Sequence, residues 1–364
     1  ALSTDNITRN QSGKLADHFE TVLWAGDNTS PRTITCGFGQ ADFVWMKNRD
    51  YTGGGGHNHL LYDAVRGFGV SKEIAPSQTY AEGSATIDTA NYGYVDSHAS
   101  GFSLVAGTTN DNYTNDATIA SSMVAWCASL PNTVTSGWSG SPSITPSKEM
   151  YNAELGMSIV AYSGDSTQGS IPHSLGRKVK MAIIKPTNAT ASWAVFHDAV
   201  CLNDTDYLQL DNTSALITPG STRWDVSTNS TTLFGLGTDA DTNATGRNYI
   251  AYLFTDTDFC KVFNYTGNGS ADGPMANLGG SPEWSIIKNT TTASRSWILY
   301  DSARSPSNVV NDLFTTEDST AEYVDNAIAV DYVSQGIKVR TTSTHINASA
   351  AAIIGIAFVE PEPD

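Results

Sequence analysis

Two aspartate–arginine pairs carry the most definite local chemistry in this chain. Asp63 stands three residues before Arg66, and Asp301 three before Arg304, each aspartate closing a run Leu-Tyr-Asp at Leu61-Tyr62-Asp63 and Leu299-Tyr300-Asp301. A carboxylate and a guanidinium at that spacing can form a charge-assisted, forked pair. Because the set recurs after the same aromatic strand end, it reads as a structural ion pair holding a loop and not as one reaction centre. The corresponding third place has His197-Asp198 and no arginine.

Other chemistry-bearing residues form weaker patterns. His57 and His59 alternate, so they could place two imidazoles on one strand face toward a metal. The glycines 53–56 before them indicate a flexible exposed loop instead, and no third ligand adjoins. Asp239-Ala240-Asp241-Thr242-Asn243 spaces oxygens like the start of a calcium loop, yet Ala244 and Ile250 occupy its sixth and twelfth places. Aspartates abound without singling out a glycosidase pair. No Gly-x-Ser-x-Gly, His-Glu-x-x-His or Ser-His-Asp constellation is identifiable. No catalytic residue, metal ligand or cofactor is expected.

The elements that must position these residues are three copies of one strand. Phe43-Val44-Trp45-Met46-Lys47 returns as Met181-Ala182-Ile183-Ile184-Lys185 and as Trp284-Ser285-Ile286-Ile287-Lys288. Each is short and apolar on both faces, which predicts a central strand covered on two sides, with the lysine emerging into solvent. Upstream lie Trp24 with Gly26, Tyr162 with Gly164 and Tyr265 with Gly267; successive glycines and successive lysines keep the same two intervals. Each copy then has an alternating strand, at 101–104, 232–235 and 336–339. Each ends on a near-continuous apolar strand, at 123–127, 250–254 and 354–358. The pattern predicts an all-β chain of three tandem β-sandwich repeats of roughly a hundred residues each. The recurring aromatics fall on repeated strand positions, which favours a core role.

Composition agrees with this class. Charged residues are 16% of the 364, below the usual quarter or so, with Ser, Thr, Asn and Gly in their place. A formal charge of −17 argues against nucleic acid, whose affinity rests on lysines and arginines, and against an anionic membrane surface. Cys36, Cys127, Cys201 and Cys260 show no zinc spacing and read as small buried hydrophobes. No apolar run reaches the length of a membrane span, and the polar first residues do not read as a leader peptide.

Taken in order, the chain divides into an N-terminal arm at 1–18, a first sandwich at 19–130 and a linker at 131–156. A second sandwich follows at 157–256, and a third with an acidic tail at 257–364. Thr145-Pro146 followed by Gly156 predicts a short helix in the linker. The arm is expected to be disordered or to order on a neighbouring subunit.

Several of these stretches resemble a repeated β module of virion proteins from marine tailed phages, cyanophages and their relatives. The likeness runs through Tyr265-Thr266-Gly267-Asn268-Gly269-Ser270-Ala271-Asp272-Gly273-Pro274 and the strands at 284–288 and 296–301. It continues through 42–49 and 61–67, and through Ile171-Pro172-His173-Ser174-Leu175-Gly176 with 192–197. The resemblance implies jelly-roll or lectin-like sandwiches in a non-enzymatic structural protein on the outer surface of a virion: tail fibre, head or tail appendage, or capsid decoration. It carries over no catalytic residues. Expected partners are further copies of the chain, as a homo-oligomer, and other virion proteins, with repeated sandwiches supplying rigid length. The alternatives are a glycan-binding adhesin for host surface polysaccharide, with binding loops such as 53–58, and a polysaccharide depolymerase.

Overall fold

The computed structural model describes residues 13–50, 57–84, 89–108, 113–118 and 122–362, and the chain is all-β. Its first part holds β1 Phe19–Trp24, β2 Arg32–Thr35, β3 Phe43–Asn48, β4 Leu60–Asp63, β5 Tyr94–His98, β6 Gly101–Val105 and β7 Met123–Ala128. There follow β8 Asn132–Val134, β9 Lys148–Asn152, β10 Met157–Ser163, β11 Gly169–Pro172, β12 Met181–Pro186, β13 Ala194–His197, β14 Leu208–Gln209, β15 Leu233–Leu236 and β16 Asn248–Phe254. The last part holds β17 Cys260–Thr266, β18 Met275–Asn277, β19 Gly280–Asn289, β20 Trp297–Asp301, β21 Asp312–Thr315, β22 Tyr323–Val324, β23 Val330–Val333, β24 Gly336–Val339 and β25 Ala352–Pro361.

Three large antiparallel sheets contain one common order. The first runs β1-β7-β3-β4, the second includes β10-β16-β12-β13-β14, and the third includes β17-β25-β19-β20-β21. In each, the lysine-bearing strand lies between the closing strand and the strand that follows it. The registers agree as well: Trp45 lies opposite Trp126, Ile183 opposite Tyr252, and Ile286 opposite Ile356. A small sheet backs each large one, as β2-β6-β5, β11-β15 and β18-β24-β23.

Alternation along the strands fills two kinds of core. Val44, Met46 and Tyr62 pack outward with Phe102 and Leu104 of the small sheet; Ala182, Ile184 and Phe196 meet Phe234, and Ile287, Ile298 and Tyr300 meet Ile337. The opposite faces of all three large sheets meet in one shared core, with Trp45, Trp126, Ile183, Tyr252, Ile286 and Ile356 together. Both faces of each lysine strand are therefore buried, which explains their continuous apolar character.

The shared core corrects the expectation of modules strung out for length. Met157, Ile159, Met181, Ile183, Trp193, Val195, Ile250, Tyr252 and Phe254 of the second sheet all face it. At about 1.5–3 kcal/mol for each large side chain, that burial is comparable to or larger than the typical net stability of about 5–15 kcal/mol. The second sheet is expected to hold only against the other two.

The predicted helix at 145–156 is instead β9, paired with β10 from Asn152 opposite Met157 to Lys148 opposite Ala161, with β8 beyond it. Met150 enters the shared core. Gly156, at φ +81°, and the Asn152 side chain, accepting from the Glu154 and Leu155 amides, make a hairpin turn. Ladder bonds and burial of Met150 outweigh the local helix signals. The linker thus belongs to the second sheet.

Residues 1–12 of the expected arm lie outside the described residues. From Gly13 on, the arm packs on its own chain: Leu15 sits in a 3-10 turn, buries in the shared core, and donates its amide to Glu360.

Candidate functional site

The residues singled out by repetition converge on the joints between the three sheets. Lys47, Lys185 and Lys288 are not solvated, as expected from the sequence, but buried. Each ammonium donates to a backbone carbonyl just beyond its own strand, and those of Lys47 and Lys185 donate also to a carbonyl of a neighbouring sheet. Lys47 Nζ donates to the His57 carbonyl at 2.6 Å and across to Ser319 of the third sheet's loop at 3.0 Å. Lys185 Nζ donates to Ala191 at 2.9 Å and across to Thr79 at 3.0 Å. Lys288 Nζ donates to the Arg295 carbonyl, and the Arg295 amide makes the crossing bond to Thr213. Burial lowers the three ammonium pKa values, to about 7, 8 and 8 respectively.

A second set of bonds repeats at the start of the strand that follows each lysine. Trp193 Nε1 donates to the Ala75 and Gln78 carbonyls at 3.0 Å, and Trp297 Nε1 to Gln209 at 2.8 Å. The third member is His59. Its Nδ1 accepts from Trp45 Nε1 at 3.0 Å, and its Nε2 lies 3.2 Å from the Thr315 carbonyl. The first large sheet reaches the third, the second reaches the first, and the third reaches the second, closing a ring. The reading of 57–59 as a polar loop is thus corrected. His59 is wholly buried, and burial with nearby Lys47 keeps it neutral. His57 is buried and stacked on Tyr113 at 3.9 Å. Residues 53–56, part of the suggested binding loop, lie outside the described residues.

The aspartate–arginine pairs form the third set. Arg66 Nε meets Asp63 Oδ2 at 2.6 Å, and Arg304 Nε meets Asp301 Oδ2 at 2.5 Å. Each arginine also bonds a backbone carbonyl, and each aspartate accepts the arginine amide, so the pair fixes its loop. Each aspartate further accepts a bond from the next sheet. Tyr252 Oη donates to Asp63 at 2.8 Å, and Trp126 Nε1 to Asp301 at 2.9 Å. Trp126, Tyr252 and Ile356 are equivalent by register, and an isoleucine has no hydrogen to donate; at the joint without an arginine, His197 instead lies against the Gly355 and Phe263 backbone of the third sheet. Glu322 adds a network at the first–third joint, taking Arg49 at 2.7 Å and Arg304 at 2.8 Å. Burial opposes its ionisation, but the two guanidiniums win and hold its carboxyl below the usual range.

Trp24, Tyr162 and Tyr265 lock the end of each opening strand. Their ring N–H or hydroxyl donates to the carbonyls of Thr114 at 3.1 Å, Thr242 at 2.6 Å and Ile346 at 2.7 Å. The next residue each time is a buried asparagine, Asn115, Asn243 or Asn347, whose amide bonds nearby carbonyls. Sequence reasoning missed Asn115 and Asn347 and placed Asn243 only in a calcium-like loop. Two of them, in Asn243-Ala244-Thr245 and Asn347-Ala348-Ser349, stand at the same distance before the closing strand. A Cβ at Gly267 would lie 2.1 Å from the Ala348 carbonyl, and one at Gly164 2.5 Å from Ala244. These two glycines are required by that close approach.

The remaining candidates are engaged elsewhere. Asp239 and Asp241 face Arg223, whose guanidinium stacks 3.4 Å over Tyr207. The four cysteines are free and buried. Among the described residues, no three of His, Cys, Asp and Glu are grouped to hold a metal ion, and no helix is long and apolar enough to cross a membrane.

One family pattern, described only as a domain of unknown function (DUF7483), matches residues 14–363. The chain belongs to that family. The match runs through all three sheets without a break, as the shared core does. No curated protein and no solved structure matches the chain.

Proposed function

We propose that this chain is a non-enzymatic structural component on the outer surface of a tailed-phage particle: a fibre, an appendage or a capsid decoration. The observation that carries the reading is where the repeated polar residues go. Lysines, aspartate–arginine pairs and tryptophan N–H groups at equivalent positions are used to fasten one sheet to the next. A chain that commits these groups to closing a ring is built to stay rigid, which suits a particle component. The resemblance to virion modules supports the same reading.

Mass spectrometry of purified, salt-washed particles tests it. The expected result is the chain at many copies per particle, accessible to antibody on intact particles. Its absence from particles, or release of reducing ends from host polysaccharide by the purified protein, would overturn the reading.

A further inference from the structure

Three slots of one design lie where the opening strand of a large sheet faces its neighbour. Between the second and first sheets, the edge of β10 is covered by β9. Lys148 of β9 reaches across to the Ala64 carbonyl at 2.6 Å, with the Asp42 carboxylate close enough to feel its charge. Between the third and second sheets, Lys180 stands at the place of Asp42, one residue before the lysine strand's first inner side chain. Its ammonium lies 3.4 Å from Asp198 and 3.2 Å from Asp256. Both slots hold a lysine among carboxylates.

The slot between the first and third sheets is different. It is a groove of about 270 Å³, lined by Glu20 and Thr21 of β1, by Glu283, Ala303 and Glu360, and by Leu15. Glu283 stands where Asp42 and Lys180 stand in the other slots. β1 pairs with β7 alone, as β17 does with β25, so among the described residues its other edge carries no strand. No lysine or arginine lines the groove. Burial raises the Glu283 carboxyl's pKa, and Glu360 and Asp301 raise it further, while a bond from the Ser302 hydroxyl opposes them.

We propose that the groove beside β1 is a docking site for an extended, lysine-bearing strand of a partner polypeptide, added to β1 as β9 is added to β10. Main-chain bonds to a free sheet edge supply the attachment in such strand addition, and side-chain pockets supply selectivity. Here the selectivity is for a cation that fits between Glu283 and Glu360, as Lys148 fits beside Asp42. A second copy of this acidic chain, at formal charge −17, lacks that complementarity.

Hydrogen–deuterium exchange on the full chain tests this, with a synthetic peptide of the sequence of residues 145–152 as probe. At about 1 mM peptide, the amides of residues 19–24 should exchange about tenfold more slowly. Norleucine in place of the peptide's lysine should abolish the effect, as should Glu283→Gln. Ala303→Lys, which places a cation in the groove from a half-buried turn, should also abolish it in a chain whose melting curve shows it folded. Unchanged exchange with the peptide, or equal protection by the norleucine peptide, would overturn the proposal. So would protection of β1 that is present without peptide and lost on deleting residues 1–12, or lost on dilution of a self-associated form.

Discussion

Replacing Tyr252 by Phe removes one hydroxyl from the joint between the second and first sheets and leaves its volume unchanged. That hydroxyl is buried and donates to Asp63 Oδ2 at 2.8 Å, while the same carboxylate holds Arg66 at 2.6 Å. A hydrogen bond to a charged group contributes about 1.5–3 kcal/mol, so Tyr252→Phe should cost about that much. Asp63→Asn leaves the buried Arg66 guanidinium with only Glu82, 3.6 Å away, as a carboxylate partner, and should cost about 3 kcal/mol. If the two residues touch as described, the costs are not additive, and the double variant should show an interaction energy of about 1–2 kcal/mol. Guanidinium unfolding followed by tryptophan fluorescence measures all four corners of the cycle. Trp126→Phe with Asp301→Asn should repeat the result, whereas Ile356→Val with His197→Asn should not. An interaction energy below about 0.5 kcal/mol at Asp63–Tyr252, the level seen for distant sites, would refute the joint.

The three buried lysines make stability depend on alkaline pH. An unfolded lysine keeps its proton to about pH 10.4, whereas the folded chain releases those of Lys47, Lys185 and Lys288 at about 7, 8 and 8. Between those values the unfolded state binds more protons. Stability from these groups should therefore rise from pH 7 toward 10 and be lost as pH falls through 8 and 7. Urea midpoints across that range should show the rise, and Lys185→Met should flatten it; an equal slope in the variant would contradict the assignment. On the acid side, burial holds His57 and His173 at about 4. The unfolded chain takes up protons below about 6.5 that the folded chain refuses, so the urea midpoint should fall from pH 6.5 to 4. Gly267→Ala, which drives a Cβ to 2.1 Å from the Ala348 carbonyl, should cost about 3 kcal/mol or more. Gly176→Ala, at φ +66° in open space, should cost about 1 kcal/mol, and thermal midpoints compare the two.

The strands were legible because burial on both faces leaves a mark in composition. Runs such as Met181–Lys185 admit almost no other placement, and the equal intervals between glycines and lysines locate the opening strands. What was not legible was the partner of each buried polar atom. A lysine after four apolar residues looks like a strand emerging into water, and nothing local discloses that the Thr79 or Ser319 carbonyl comes from another sheet. His59 was hidden for a related reason. The glycine-rich insertion at 53–56 displaces it from the spacing that relates Trp193 to Lys185 and Trp297 to Lys288, so only strand register shows that the three rings are equivalent. At 145–156 the proline and glycine punctuate the chain in a pattern that locally favours a helix, because the pairing that makes β9 a strand lies on β10.

One core shared by three sheets implies one unfolding event. Differential scanning calorimetry of the whole chain compares the heat absorbed with the enthalpy inferred from the steepness of the transition. Equality of the two, in a single peak that Tyr252→Phe shifts as a whole, is the outcome expected from the closed ring. Two or three resolvable peaks, with only the second sheet's peak moved by a change at Tyr252, would mean that the sheets stand independently and that the ring does not hold them together.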